Sequence, residues 1–198
     1  MCLFLQSATS PPIPPPPTPT MAAVQHLRGF LAAAATVGQQ PCRLLPSWRE
    51  WATSTVVDDE GRYVEDPMRT SKQCTLAPDH ELVGALAARL RELRLINTPC
   101  FEEGSLVRYR RGQFYGVHGD AAGLHGPRRY TLLVSLQAAR EGGATHFPHL
   151  GQRFHLAPGD ALFWCNYDAD GHEKEEMDHE SEPVTSGIKI VLNSWWSA

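Results

Sequence analysis

An α+β fold is predicted, in which a helix precedes an antiparallel β-barrel or jelly roll, and three observations predict it. Leu82, Leu86, Leu90 and Leu93 recur at helical spacing and continue to about Leu95. From Pro99 onward the chain changes to short β-forming runs punctuated by Gly and Pro, roughly seven within about 95 residues, which is the texture of a barrel or jelly roll. The chain has 198 residues, 42% of them hydrophobic, enough for one domain with a proper core.

Taken in order, residues 10–20 are almost pure proline (Pro11-Pro12-Ile13-Pro14-Pro15-Pro16-Pro17-Thr18-Pro19), which cannot pack a core and reads as polyproline II or disorder. Residues 21–37 are alanine-rich, and Val24, Leu27 and Leu31 fall at helical spacing, so a supporting N-terminal helix is expected there. The first 49 residues contain no Asp or Glu but carry Arg28, Arg43 and Arg49, a bias shared with organellar transit peptides. Residues 1–40 are therefore expected to be a Pro/Ala-rich leader, disordered or targeting, and residues 41–198 the folded domain. A short strand is expected over 54–57, followed by a polar turn. Asp79 is placed to cap the helix, with Glu81 favourable in its first turn. Strands are expected over 106–109, 129–136, 143–147, 153–156, 161–164 and 187–196, with turns at Gly142-Gly143 and Pro158-Gly159-Asp160. Residues 168–182 read as a strongly polar loop.

Composition narrows the function classes. The balance of 18 basic against 22 acidic side chains gives no electrostatic reason to expect nucleic acid as a partner. No run approaches the roughly 18 apolar residues of a membrane span. The five cysteines are scattered and form no CxxC, which argues against a zinc cluster or a dense disulfide framework and leaves free thiols as the plain reading. Nothing in the sequence sets an oligomeric state.

The chemistry-bearing residues begin with His118-Gly119-Asp120. On a strand, side chains at i and i+2 share a face, so His118 and Asp120 are placed to grip one metal ion. A second, distant His would complete the 2-His-1-carboxylate face that leaves positions open on Fe(II). Nine histidines are available. His179 is favoured because His118 precedes the strand block and His179 lies near its end, and closing a barrel brings such distant strands together, while His146, His149, His155 and His172 compete. Lys189 stands out on the last strand, sharing a face with Val191, Asn193 and Trp195 opposite Ile188, Ile190 and Leu192. A lysine facing the barrel interior requires an anion, because an unpaired buried charge is very costly, and a carboxylate-bearing cosubstrate meets that need.

With these residues in view, the chain resembles the catalytic domain of the prolyl 4-hydroxylases, within the 2-oxoglutarate and Fe(II)-dependent dioxygenases. The likeness runs through Arg69-Thr70-Ser71, Arg108-Tyr109 to Tyr115, His118 and Asp120, Arg129-x-Thr131, and Gly142-Gly143-Ala144-Thr145-His146-Phe147-Pro148. It continues through Pro158-Gly159-Asp160-Ala161-Leu162-Phe163-Trp164 and His179-x3-Pro183-Val184-x2-Gly187-x-Lys189, covering roughly residues 54–196. The resemblance implies a double-stranded β-helix (jelly-roll) core with supporting N-terminal helices. It implies that His118, Asp120 and His179 hold Fe(II), that Lys189 pairs with the distal carboxylate of 2-oxoglutarate, and that Tyr109 and Thr131 line the cosubstrate pocket. The implied reaction uses O2 to hydroxylate a proline-containing peptide or protein while 2-oxoglutarate becomes succinate and CO2, with L-ascorbate as an accessory.

The chain also departs from the family pattern. Ser135-Leu136-Gln137 stands where Tyr-Leu-Asn is usual, and Ser197 where collagen-type members carry a second histidine. The segment before Ser54 does not match the usual opening strand and helix. Lysyl hydroxylases and nucleic-acid demethylases generally anchor the cosubstrate with Arg, so Lys189 argues against both. The alternatives are a same-fold oxygenase with a non-proline substrate and a non-catalytic, cupin-like binding module.

Overall fold

The computed structural model describes residues 23–31, 51–58, 60–76, 79–96, 100–122 and 126–197. Fifteen strands are assigned among these residues. They are β1 (Val24–Leu27), β2 (Ala52–Thr53), β3 (Val56–Val57), β4 (Tyr63–Val64), β5 (Lys72–Leu76), β6 (Cys100–Tyr109), β7 (Tyr115–His118), β8 (Tyr130–Gln137) and β9 (Glu141–Gly142). There follow β10 (Thr145–Phe147), β11 (Gln152–Phe154), β12 (Ala161–Cys165), β13 (His179–Ser181), β14 (Val184–Ser186) and β15 (Lys189–Ser197), and one helix, α1 (Glu81–Glu92), lies between β5 and β6.

A seven-stranded sheet in the order β1-β12-β8-β15-β6-β5-β2 faces a four-stranded sheet in the order β11-β10-β13-β7, with β14-β9 and β3-β4 as small pairs beside them. This is the jelly roll that the run of short strands predicts. Two cores follow from the layering. On the outer face of the large sheet, α1 lays Leu82, Leu86, Ala87 and Leu90 against Leu106, Leu132, Val134, Ile190, Leu192 and Trp196. Between the sheets, Val107, Leu133, Phe147, Leu162, Trp164, Met177 and Val191 form the second core. β15 is central and buried on both faces, and its alternation divides as expected: Ile190 and Leu192 face the helix core, while Val191 faces the interior.

Three expectations are corrected. Val24–Leu27 is a strand, not part of a helix, and it pairs antiparallel with β12 from Val24 opposite Trp164 to Leu27 opposite Ala161. Tertiary pairing overrides alanine-rich propensity here, because Val24, Phe30 and Leu31 are all buried by joining the sheet. The loop 158–160 staples this segment: His26 Nε2 meets Asp160 Oδ2 at 3.0 Å, Gly29 N donates to Asp160 Oδ1 at 2.8 Å and Leu31 N donates to Gly159 O at 2.9 Å. The folded unit thus includes residues ahead of 41, inside the stretch expected to be a leader. Arg28 and Gly29 form a turn after β1 and Phe30 and Leu31 are helical; the polyproline run and residues 32–37 of that expected helix lie outside the described residues.

The helix cap is His80, not Asp79. Its backbone is extended (φ −63°, ψ 135°) and its Nδ1 accepts from Leu82 N at 3.2 Å. Finally, the polar loop 168–182 ends in β13, which the sequence pattern does not mark as a strand.

Candidate functional site

The interior face of the jelly roll brings His118, Asp120 and His179 together. β13 pairs antiparallel with β7, and His179 stands opposite His118. His118 Nε2 lies 4.0 Å from Asp120 Oδ1, and His179 Nε2 lies 3.7 Å from Asp120 Oδ2. Potential ligand atoms of the three residues all fall within 4.8 Å of one another. Asp120 is not on the strand with His118, as the i, i+2 argument assumed; β7 ends at His118. The carboxylate is aimed instead by β8 and the segment after β12: Thr131 Oγ1 donates to Asp120 Oδ2 at 3.0 Å, and Asn166 Nδ2 donates to Thr131 Oγ1 at 3.0 Å. Gly119 leaves room for the neighbouring loop, since a Cβ there would meet Asp178 Oδ1 at 2.9 Å.

Both imidazoles are set by their surroundings. His118 Nδ1 hydrogen-bonds to Gly116 O at 2.8 Å and His179 Nδ1 to Met177 O at 3.1 Å, which fixes the tautomer and turns each Nε2 inward. His179 packs among Phe147 (centroids 5.3 Å apart), Trp164 (4.9 Å) and His118 (4.3 Å). His118 stacks on Tyr115 at 3.6 Å, and Arg69 covers the other part of that sandwich, 4.6 Å above the Tyr115 ring. Burial, reinforced by the adjacent His179, pushes the His118 imidazole down to about 3, so it is neutral and ready to ligate near pH 7. Burial acts to raise Asp120, but the two histidines and the nearby Trp195 outweigh it and hold the carboxyl below its usual value. The Trp195 indole N–H makes no hydrogen bond of normal geometry, yet it lies near enough to favour the carboxylate. Arg128 stacks 4.1 Å over Trp195 and forks onto Glu102 at 2.7 and 2.9 Å, bracing this end of the site.

Lys189 lies on the same interior face and is 6% exposed. Its Nζ donates to Ser181 Oγ at 2.9 Å and Thr145 Oγ1 at 3.3 Å, both neutral groups. No carboxylate forms an ion pair with it among the described residues. Burial pushes the ammonium down to about 7, with Glu182 opposing weakly. Tyr109 sits 5.3 Å from Nζ by its ring centroid and opposite Lys189 in the β6–β15 register. Burial raises the Tyr109 phenol, whose hydroxyl is in reach of Ser181 and Ser71. Thr131 contacts Asp120 rather than Lys189, so its place is at the metal end of the interior. Thr145 and Ser181 are the functional neighbours that the sequence reading did not single out; Thr145 sat within a quoted motif, and Ser181 had only its i+2 spacing from His179 as a signal.

Two other clusters carry metal-type side chains. His146, Glu180 and Glu182 meet on the outer face of the small sheet, where Arg153 Nε already binds Glu182 Oε1 at 2.6 Å. Asp168, Asp170 and His172 are exposed, and Asp168 Oδ1 is occupied by its own loop's N–H groups. Neither offers two imidazole nitrogens and one carboxylate with two of the three residues buried. Residues His118, Asp120 and His179 do, and this donor set fits a divalent ion of the Fe(II) type with coordination positions to spare. The anion-free Lys189 on the same face fits a carboxylate ligand.

This combination of jelly roll, facial triad and interior cation is the architecture of the 2-oxoglutarate/Fe(II) oxygenases. Residues 104–197 match the family model described as the 2OG-Fe(II) oxygenase superfamily, and the chain is similar to prolyl hydroxylases. Prolyl 4-hydroxylase subunit alpha-2 of Caenorhabditis elegans is 31% identical over 138 residues, which is 64% of this chain and 26% of the worm protein. A putative prolyl 4-hydroxylase of Acanthamoeba polyphaga mimivirus is 28% identical over 143 residues, 65% of this chain and 58% of the viral one. The chain therefore spans between about a quarter and just over half of the length of these curated relatives. Among solved structures, the viral collagen prolyl hydroxylase of Paramecium Bursaria Chlorella virus-1, in a 2OG complex, superposes with a TM-score of 0.62 at 26% identity, covering 88% of this chain and 96% of that one. A Trichoplax adhaerens prolyl hydroxylase, in complex with a hypoxia inducible factor peptide fragment, shares the fold (TM-score 0.62, 16% identity, 88% and 83% covered). Fe(II) and 2-oxoglutarate are the cofactors of this superfamily, with ascorbate as an accessory.

Proposed function

We propose that this chain is an Fe(II)- and 2-oxoglutarate-dependent dioxygenase that hydroxylates proline in a peptide or protein, releasing succinate and CO2. In this reading His118, Asp120 and His179 hold the metal, Lys189 pairs with the distal carboxylate of 2-oxoglutarate, and Tyr109, Thr145 and Ser181 line that anion site. The observation that carries it is the cluster of His118 with the buried Asp120 and His179, and a buried lysine on the same interior face with no carboxylate partner among the described residues. When bound, iron and cosubstrate supply the oxidising chemistry, and the protein supplies geometry and exclusion of water.

The chain's own residues have definable tasks. Thr131 and Asn166 keep Asp120 turned to the metal position, and the backbone carbonyls of Gly116 and Met177 keep both imidazoles presenting Nε2. Phe147, Trp164 and Met177 form a dry wall behind His179. Lys189 orients the cosubstrate by its far end, so that its other end is delivered to the triad in one pose. A peptide would dock near the exposed Met68 and Val117 (50% and 45% exposed) and the cavity beside Asp120 walled by Gly119, Asn166, Glu173, Glu175 and Asp178. The segments 58–73 and 168–178 approach the site through Arg69 on Tyr115 and Asp178 at Gly119. Among the described residues no helix is long and apolar enough to cross a membrane.

The test is direct. Protein supplied with Fe(II), 2-oxoglutarate and ascorbate is incubated with short proline-rich peptides, and a gain of one oxygen on proline with matching succinate is expected by mass spectrometry. His179→Ala should abolish both products. Oxygen placed on a residue other than proline would move the chain to another branch of the fold, and unchanged turnover in His179→Ala would refute the triad.

A further inference from the structure

The cavity beside Asp120 has a chemical character that the metal and cosubstrate roles do not account for. It lies between residues 119–122, which follow β7, and the connection from β12 to β13, and it measures about 280 Å³. One water takes about 10–15 Å³ of such space, so there is room for an extended side chain. Both sides of the cavity are pinned by hydrogen bonds. Tyr167 Oη donates to Ala121 O at 2.9 Å and ties the two segments together, Lys174 N donates to Asn166 O at 2.9 Å, and Asp178 N donates to Glu175 O at 3.0 Å. The space therefore exists before anything enters it.

The side chains around it are chiefly hydrogen-bond acceptors. Asn166 is 2% exposed, and its Nδ2 is spent on Arg128 O and Thr131 Oγ1, at 2.9 and 3.0 Å. Thr131 Oγ1 gives its own proton to Asp120, so Asn166 is the donor in that pair and its Oδ1 is left buried without a partner. An unmatched buried acceptor is costly, and this one calls for an N–H or O–H arriving through the cavity. Glu173, Glu175 and Asp178 line the same space, and none of them is in an ion pair among the described residues. The cation on the wall, Lys174, is turned to Glu176, at 3.7 Å. The three carboxylates are not gathered as metal ligands are: their oxygens do not meet within the 4.8 Å that unites His118, Asp120 and His179. Acceptors spread around a cavity of this size fit the several N–H groups of an ammonium or guanidinium on a flexible stem.

We propose that this cavity receives a lysine or arginine side chain of the substrate, so that the chain selects prolines with a basic residue within two positions. The inference rests on the prolyl hydroxylase reading, in which Asp120 is at once a metal ligand and a wall of the cavity. Consecutive Cα atoms are about 3.8 Å apart, so with proline at the triad the residues next to it are the ones that pass the cavity mouth. The test uses short alanine-rich peptides with one proline, carrying Lys, Gln or Glu at each of the two positions on either side. Oxygen gained on proline is followed by mass spectrometry with the full chain, Fe(II), 2-oxoglutarate and ascorbate. At one of these positions Lys should exceed Gln by at least about fivefold in kcat/KM, chiefly through KM, and Glu should fall below Gln. Added salt should narrow the gap. Glu173→Gln combined with Glu175→Gln should bring the Lys-to-Gln ratio within about twofold of unity, and Glu175→Lys should reverse the order of the Lys and Glu peptides; two sets of exposed positions keep the test open if one variant fails to fold. Equal kcat/KM for Lys and Gln at every position, or a preference unmoved in both variants, would overturn the inference while leaving the hydroxylase reading intact. No oxygen on proline in any peptide would overturn that reading and the inference with it.

Discussion

Lys189 is a cation placed where an ordinary protein would place a leucine, and its environment dictates how it behaves. With hydroxyls as its hydrogen-bond partners and burial as the dominant influence, its ammonium titrates near 7 instead of 10.5. A carboxylate bound beside it restores the charged form. Above pH 7 the free protein holds Lys189 mostly neutral, so on the proposed anchoring role 2-oxoglutarate should bind with uptake of a proton, and its affinity should fall by up to about tenfold per pH unit. The same displacement has a stability consequence of defined sign. Between about pH 7 and 10 the unfolded chain keeps a proton that the folded chain has lost, so ligand-free stability rises with pH, by at most about 1.4 kcal/mol per unit from this group. Titration of the metal-loaded protein with 2-oxoglutarate at pH 8, in buffers of different ionisation enthalpy, should report uptake approaching one proton. A buffer-independent heat would show that Lys189 is already charged. Comparing melts of the wild type and Lys189→Met isolates the stability contribution, and the lysine protein should gain more on moving from pH 7 to 9.

At the scale of elements, the pairing of β7 with β13 converts residues sixty apart in sequence into neighbours, and the small pair β9–β14 holds that geometry. Gly142 makes the second pairing possible: its φ is +69°, and a Cβ would strike Pro183 O and approach Thr185 N at 2.9 Å. Both are backbone atoms that cannot swing away, so Gly142→Ala should destabilise the fold by more than about 1 kcal/mol. Urea denaturation would show this as a lower midpoint at unchanged slope; an unchanged midpoint would mean that the turn relaxes freely. The same elements explain what was legible in the sequence. β8, β12 and β15 announce themselves as apolar runs, and α1 by its leucine spacing. β13 does not, because His179, Glu180 and Ser181 owe their strand conformation to partners on β7 and β10 and carry no apolar alternation. Spacing marks Asp120 as a candidate, but its position beside the two histidines rests on the hydrogen bond from Thr131 and not on a strand face shared with His118. Ser181 carries no signal in the sequence beyond its spacing from His179, because its contact with Lys189 exists only in the folded chain.

For the whole molecule, the issue is where the cooperative unit begins. β1 covers the edge of the large sheet at β12, the strand whose Trp164 packs against His179. Composition pointed to a leader here because a lone four-residue strand has no periodicity of its own and its partner is more than 130 positions away. Val24 is 6%, Phe30 2% and Leu31 7% exposed, however, so the segment contributes apolar surface to both cores. Fully burying such side chains is worth about 1.5–3 kcal/mol each as an upper estimate, a large part of the net stability of a domain this size. Removing the segment would also bare the backbone edge of β12, which invites pairing between chains. A protein starting at Met21 should therefore match the full chain in melting temperature and metal affinity. One starting at residue 41 should melt lower, self-associate in sedimentation experiments and bind metal more weakly, because the wall behind His179 loses its lateral support. Equal stability of the two truncations would show that β1 is an appendage to the sheet and that the folded unit begins where composition alone had placed it.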